Sequence, residues 1–496
     1  MKNSFLCVCV GVSLSACSLA PKMVRPDAPV PAAFPAVFSA TPTMRDASTD
    51  NAAAIGWRSM FANRALQQLI ERALGNNRNL RVTALNVAAV AAEYRIARSS
   101  RLPALAANAS STRQRFPLDA GEYGQAFEGT SASSGYLVND YTVSVGLSAF
   151  EVDLFGRVKS LSDAAKARYF ASEEGRMSVQ IALIGAVADA YFSYQLATEQ
   201  LQLTRKTLAD WQRSLTLSRA LRQAGQTSRL DVAEAESQVR SAEADVEQRI
   251  RAQRVAINAL RLLVGTDLPD PQIPLTTLAQ DDVMTVLPAG VPSDLLLRRP
   301  DVRQAEQLLI AANADIGAAR AAFFPRLSLT ATLGYTSPAL RGLFTGDQSA
   351  WSFSPQLTLP IFQAGALRAA LSVAELRKSV AVAQYEQAIQ IAFREVADGL
   401  AGRETYGRQI IAQQAVVASA AERVDLADAR YRAGFDTRLA LLISQRALYS
   451  AQDSLLGLHS AALSNAVALY KALGGGVRGD DMPASFPRDQ AAANPD

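Results

Sequence analysis

The chain has 496 residues, 50 of them basic against 46 acidic, a formal net charge of +4, and 7% aromatic side chains. That length allows two to four domains. A near-balanced charge, with Lys and Arg spread along the chain rather than gathered in a block, argues against a nucleic-acid surface. Abundant Ala, Leu, Gln and Arg favour helix.

Lys2 opens the chain, an apolar stretch runs from Phe5 to Leu14, and Leu14-Ser15-Ala16-Cys17 follows. The stretch is too short for a permanent membrane helix and predicts a signal peptide over 1–16. Small residues before the cysteine resemble the bacterial lipoprotein signal, which implies a covalent lipid on Cys17 and no other cofactor. The alternative is an ordinary signal with a chance cysteine. By the same resemblance, Ser18 points to the outer membrane. Cys7 and Cys9 would leave with the signal, so the mature chain would have no thiol for a disulfide. No later run of 18 apolar residues occurs, so no transmembrane helix is expected. Six prolines between Pro21 and Pro42 predict an extended leader over 17–55.

The rest is written twice. Val187-Ala188-Asp189 recurs as Val396-Ala397-Asp398, Ala224-Gly225 as Ala433-Gly434, and Arg229-Leu230 as Arg438-Leu439, each 209 residues later. Upstream the offset is 222, carried by Ala97-Arg98 with Ala319-Arg320 and Pro103 with Pro325. Two offsets that each hold over ordered motifs indicate a duplicated unit. The difference of 13 places an insertion at Leu118–Gly135, read as a long exposed loop.

Repeat 1 is expected over 56–270, with strands at about 102–115 and 138–153 and helices at about 156–222 and 228–264. Repeat 2 is expected over 271–473, with strands at about 325–337 and 350–361 and helices at about 365–431 and 437–473. A flexible tail follows over 474–496. Proline is absent from 118 to 268 and from 361 to 482, where uninterrupted helix is possible. A 66-residue helix is roughly 100 Å long, more than a globular core needs. In the return helix Val232, Val239, Val246, Ile250, Ile257, Leu260 and Val264 keep coiled-coil spacing.

All four strands alternate. Leu327, Leu329, Ala331, Leu333 and Tyr335 point one way; Ser328, Thr330, Thr332 and Gly334 point the other. The polar faces carry uncharged Ser, Thr, Asn and Gln, suited to lining water. Aromatic residues such as Phe150, Phe155, Phe324, Tyr335 and Trp351 gather near strand ends, as in the girdles of an outer-membrane barrel. Four strands cannot close a barrel, because bilayer-exposed edges are not tolerated, so several chains must share one.

Together with "LLLRRPDVRQAE" (295–306), "FFPRLSLTATLGY" (323–335), "LPIFQAGALRAAL" (359–371) and "RYRAGFDTRLALLISQRALYSAQ" (430–452), these features resemble the outer-membrane factor family of the TolC and OprM type. The nearest part is its NodT-like lipoprotein efflux branch. The resemblance implies a mixed α and β membrane protein of a Gram-negative outer membrane that extends into the periplasm. It implies a homotrimer with a twelve-stranded barrel continuous with a long α-helical barrel. The partners implied are a periplasmic adaptor and an inner-membrane efflux transporter, and the function is a passive exit duct for drugs or other small molecules.

The two helix-turn-helix tips contain Gly225 and Gly434 at helix ends, with Thr227/Ser228 and Asp436/Thr437 available to cap the next helix. By resemblance the tips meet the adaptor (Gly225, Leu230, Asp231, Glu234, Gly434, Asp436) and close the periplasmic end. Leu439, Arg430 and Tyr431 match positions that constrict it, with Arg430 and Tyr431 tying neighbouring helices. Relatives often carry an aspartate one turn beyond the leucine; here it is Ile443, which shares the helix face of Leu439 and is expected to join it in a mainly apolar gate. An acidic ring at that level is therefore not expected, and acids lie instead on the first tip at Asp231, Glu234 and Glu236.

No Walker loop, dinucleotide fingerprint or HExxH occurs, and the one histidine, His459, lies in an apolar helix, so no enzyme is expected. Two other readings fit parts of the pattern. The same duct would serve type I protein secretion, and a periplasmic coiled-coil adaptor would share the helices but show one hairpin flanked by soluble β-domains.

Overall fold

A computed structural model describes residues 18–31, 56–116, 136–267, 277–278, 283–284 and 293–475. The expected signal peptide, Cys17, the insertion at 118–135 and the tail beyond Gly475 lie outside the described residues. In chain order the main elements are α1 (Trp57–Met60), α2 (Arg64–Asn76), α3 (Arg78–Ser99), β1 (Leu105–Phe116), β2 (Tyr136–Val152), α4 (Arg157–Gln223) and α5 (Arg229–Val264). The second half supplies α6 (Pro300–Ala321), β3 (Arg326–Ser337), β4 (Ser349–Thr358), α7 (Ala366–Arg432) and α8 (Arg438–Ala472). The helices α4 and α7 each have 67 residues and begin 209 positions apart, at Arg157 and Ala366, which is the sequence offset. None of the described helices is long and apolar enough to cross a membrane.

The chain divides into two compact units, one of residues 1–26, 88–171 and 306–383, the other of 27–87, 172–305 and 384–496. The division cuts across the repeats instead of falling at 270. Strands of both repeats hydrogen-bond into one sheet, and helices of both repeats bury one common core, so neither repeat is a folding unit alone.

The first unit holds an antiparallel sheet in the order β1-β2-β3-β4. Its register joins like with like. Leu105, Ala107 and Ala109 pair with Leu147, Val145 and Val143. Leu147, Val145 and Val143 pair in turn with Ala331, Leu333 and Tyr335, and Ala331 and Leu333 with Phe353 and Trp351. The alternation of four separate strands thus becomes one apolar face and one polar face. The alternation is broken at one place. β2 has a bulge between Leu147 and Phe150, where Ala149 takes a φ of 49° and its N–H donates to Thr330 Oγ1 (3.2 Å). An extra residue reverses parity, so Ser148 leaves the regular polar row, Phe150 pairs with Leu329, and Glu151 pairs with Ser328. β4 also stops at Thr358, three residues short of the expected 361.

Residues 18–26 lie along α6. Asn313 Nδ2 donates to the Pro21 carbonyl (2.8 Å), Arg25 Nε donates to Glu306 (2.8 Å), and a Cβ on Gly317 would lie 2.9 Å from Ala20 Cα. The leader therefore runs antiparallel to α6, with Ser18 toward the end that leads into β3.

The second unit buries a large core and a smaller separate cluster, in which Trp211 and Leu215 of α4 meet Val232, Ala235 and Val239 of α5. Trp57, Met60, Phe61 and Ile70 from the short helices meet Val187, Tyr191 and Phe192 of α4, Leu260 of α5, Tyr385 and Val396 of α7, and Val467 and Tyr470 of α8. The Val-Ala-Asp repeat is thereby explained in part as packing. Val187, Ala188 and Val396 are fully buried, and burial pushes the Asp189 carboxyl up despite a hydrogen bond from Ser464. Arg299, inside the 295–306 motif, is buried and reaches three groups. It forks onto Asp301 (3.0 and 2.7 Å), donates to Glu395 (2.8 Å), and caps the Ala472 carbonyl at the end of α8 (2.8 Å).

Candidate pore wall and helical tips

Two regions are candidate functional surfaces: the polar face of the sheet, in the first unit, and the helical tips, in the second. On the sheet, Thr332 and Ser352 hydroxyls bond across β3 and β4 (2.7 Å), and Thr142 and Thr336 across β2 and β3 (3.1 Å). Side-chain bonds between neighbouring strands keep this face rigid while leaving it polar. On the opposite face, Leu105, Leu333, Trp351, Phe353 and Leu357 are largely exposed. A contiguous apolar sheet face of this extent needs lipid or protein against it.

Both tips end their long helix in the same way. Gly225 and Gly434 have φ values of 74° and 77°, the left-handed conformation that suits glycine. Each N–H bonds back three residues, to the Arg222 and Tyr431 carbonyls, and the next residue bonds back five, to Leu221 and Arg430, which together make a Schellman motif. Ser228 caps α5 in a capping box with Asp231, and Thr437 caps α8. Of the two capping candidates at each tip, the second one serves. Thr227 instead donates to Asp231 (2.7 Å), and hydrogen bonds from Thr227 and Ser228 hold the Asp231 carboxyl below the usual range.

Asp436 turns to Arg430 of its own tip, with Nε to Oδ2 at 2.6 Å and Nη2 to Oδ1 at 3.2 Å. Within the chain, then, Arg430 bonds to the turn that follows its own helix. Tyr431 lies under the guanidinium of Arg438, 5.6 Å from the ring centroid. Glu236 pairs with Arg219 (3.3 Å).

Leu439 and Ile443 share one face of α8 and are 51% and 56% exposed, whereas Leu441 and Leu442 are buried. Leu230 and Phe435 are exposed as well, at 66% and 77%. Two residues here were not singled out from the sequence. Phe435 is the more exposed aromatic of the second tip, and its place next to Gly434 was the available signal. Arg438 is only 3% exposed and donates to Ser214 of α4. Its repeat partner Arg229 is exposed. The duplication was visible in the sequence, but the loss of symmetry between these arginines was not. Among the described residues no group of three or more His, Cys, Asp or Glu is placed to hold a metal.

The profile of the family described as "Outer membrane efflux protein" matches residues 69–266 and 291–475. The chain belongs to this family. It is the outer-membrane channel component of an efflux system. It is 45% identical over 465 residues to the toluene efflux pump outer membrane protein TtgC of Pseudomonas putida, which covers 93% of each chain. Among solved structures, a membrane protein from Pseudomonas aeruginosa is 41% identical with a TM-score of 0.85, covering 94% of this chain and 99% of that one. The open-state MtrE outer membrane channel of Neisseria gonorrhoeae is 36% identical with a TM-score of 0.82, covering 94% of this chain and all of that one.

Proposed function

We propose that three copies of this chain close one twelve-stranded barrel and that their long helices continue it as a periplasmic duct. The observation that carries this is the four-stranded sheet itself. Its apolar face is continuous, and one edge each of β1 and β4 is left without a partner in the sheet. Bare edges cannot remain in a bilayer. Pairing β4 of one copy with β1 of the next satisfies them all. The duct receives its cargo from an inner-membrane transporter through a periplasmic adaptor, which docks on the tips. By analogy with the relatives named for toluene, solvent and antibiotic efflux, the cargo is apolar solvents and drugs, and those relatives favour efflux over protein secretion.

The resting tips close on the exposed apolar side chains Leu439, Ile443 and Phe435, brought together from three copies. The adaptor opens them by preferring an outward-rotated α7–α8 hairpin, since a ligand shifts an equilibrium only through differential affinity. Cys17 carries lipid, as in the lipoprotein branch. Support comes from the direction of residues 18–26, which point the N-terminal end of the leader along α6 toward β3. The mass of the detergent-solubilised protein tests the assembly. Three copies are expected, and a stable monomer with an intact sheet would overturn it.

A further inference from the structure

The polar face of the sheet is nearly free of charge, which makes its exceptions informative. Among the described strand residues, Glu151 and Arg326 sit at the end that joins the helices. There Glu151 is clasped by Arg157 at 2.8 and 2.6 Å, and Ser328, its pairing partner, is two residues along the same face from Arg326. At the other end stands Asp140. It pairs with Thr112 and is one residue beyond Tyr141, which pairs with the last residue of β3, Ser337, so it stands near the lip, four pairs inside the described end of the β1–β2 hairpin, whose Arg113 and Arg115 alternate onto the opposite face. Thr336 donates to Oδ1 (2.7 Å) and Thr142 lies 3.5 Å from Oδ2. No salt bridge to Asp140 occurs among the described residues. The carboxylate is thus exposed and held in place by hydroxyls rather than by a cation.

We propose that Asp140 determines charge selectivity at the outer mouth, where three copies form an anionic ring that favours cationic solutes and slows anionic ones. This rests on the three-copy duct proposed above. Like charges around a low-dielectric lip focus their field into the opening. The effect reaches about 10 Å at 0.1 M salt and about 30 Å at 0.01 M. An efflux duct with such a lip would retard re-entry of anionic compounds from outside.

Thiol labelling from the cell exterior tests this without depending on the state of the periplasmic tips. The cysteines of the sequence are Cys7, Cys9 and Cys17, so the rate at an added cysteine is read against the parent protein. Ser110 pairs with Thr142, one row along the same face from Asp140. The rates of cationic and anionic methanethiosulfonates at Ser110→Cys are compared with and without Asp140→Asn. At about 10 mM salt the cation-to-anion rate ratio is expected to fall about tenfold on losing the charge, and the difference should vanish in 1 M salt. Asp140→Glu should keep the ratio. Asp140→Ser, a second neutral variant, should lose it even if the amide variant assembles poorly. A ratio that stays within twofold in both neutral variants at low salt overturns the inference. Ala109→Cys, on the opposite face, separates this from failure of the parent reading. If it reacts as fast as Ser110→Cys, the sheet is no barrel wall and both proposals fall.

Discussion

Arg430 and Asp436 clasp each other across the turn between α7 and α8, with Nε 2.6 Å from Oδ2. The hydrogen bond and charge of Arg430 hold the Asp436 carboxyl below the usual carboxylate range. Its folded pKa is therefore depressed. The contribution of the pair is complete above the unfolded value of about 3.9 and is lost as pH falls through the lower folded value. Open probability in planar bilayers should accordingly be flat from pH 8 to 5. Asp436→Asn or Arg430→Ala at pH 7 should raise it, which acid alone would do only below about pH 4.

The apolar closure is tested separately. Leu439→Ala should raise single-channel conductance by removing bulk at the proposed constriction, and Ile443→Ala should do so to a smaller extent. If both conduct like the parent while substitutions at Asp231 or Glu234 open the channel, the constriction belongs to the first tip.

Arg438 and Arg229 occupy equivalent repeat positions but different surroundings. Arg438→Ala removes a buried charged donor to Ser214 and the cation over Tyr431. Hydrogen bonds to charged groups are worth about 1.5–3 kcal/mol, so amide exchange at the second tip should quicken by roughly one to two orders of magnitude. Arg229→Ala should leave exchange there unchanged. Equal effects from the two would mean that Arg438 is not an organising contact.

Leu329 lies between Phe150 and Pro355 on the apolar face. Leu329→Arg should cost about 2–4 kcal/mol of folding into bilayers if it faces the lipid midplane. Ser354→Arg, on the polar face, should insert normally. Urea titration of refolding into vesicles reads the difference, and comparable losses would contradict the assignment of faces.

Cys17 lies outside the described residues, so its test is chemical. Mass spectrometry of the mature N-terminus should find a diacylglyceryl and an acyl group on residue 17. Cys17→Ser should abolish both, while the strands still insert, because they hold the membrane independently.

Much of this architecture was legible because it is periodic. Alternation marked the strands, freedom from proline marked the long helices, and a 209-residue offset located both tips. What escaped was non-local or aperiodic. The bulge at Ala149 changes parity by one residue, and its partner, Thr330, is 181 positions away. Arg438 is buried by Ser214 of the other repeat, so nothing in its own neighbourhood distinguishes it from Arg229. The leader reads as free extended chain until Asn313 and Glu306 are seen to hold it. Leu439, Arg430 and Tyr431 were read as gate residues from resemblance to a family and Ile443 from sharing the helix face of Leu439, and a single chain shows only that Leu439 and Ile443 are exposed on α8.

The equal length of α4 and α7 restricts how this protein can change. Each added residue turns everything beyond it by about 100°, so a single insertion in one helix would swing its tip off the shared contacts with the other. Seven residues come close to two whole turns and add about 10 Å. Length is therefore expected to vary by matched heptads inserted in both helices together, and two channels of different reach should differ by paired insertions at the same depth.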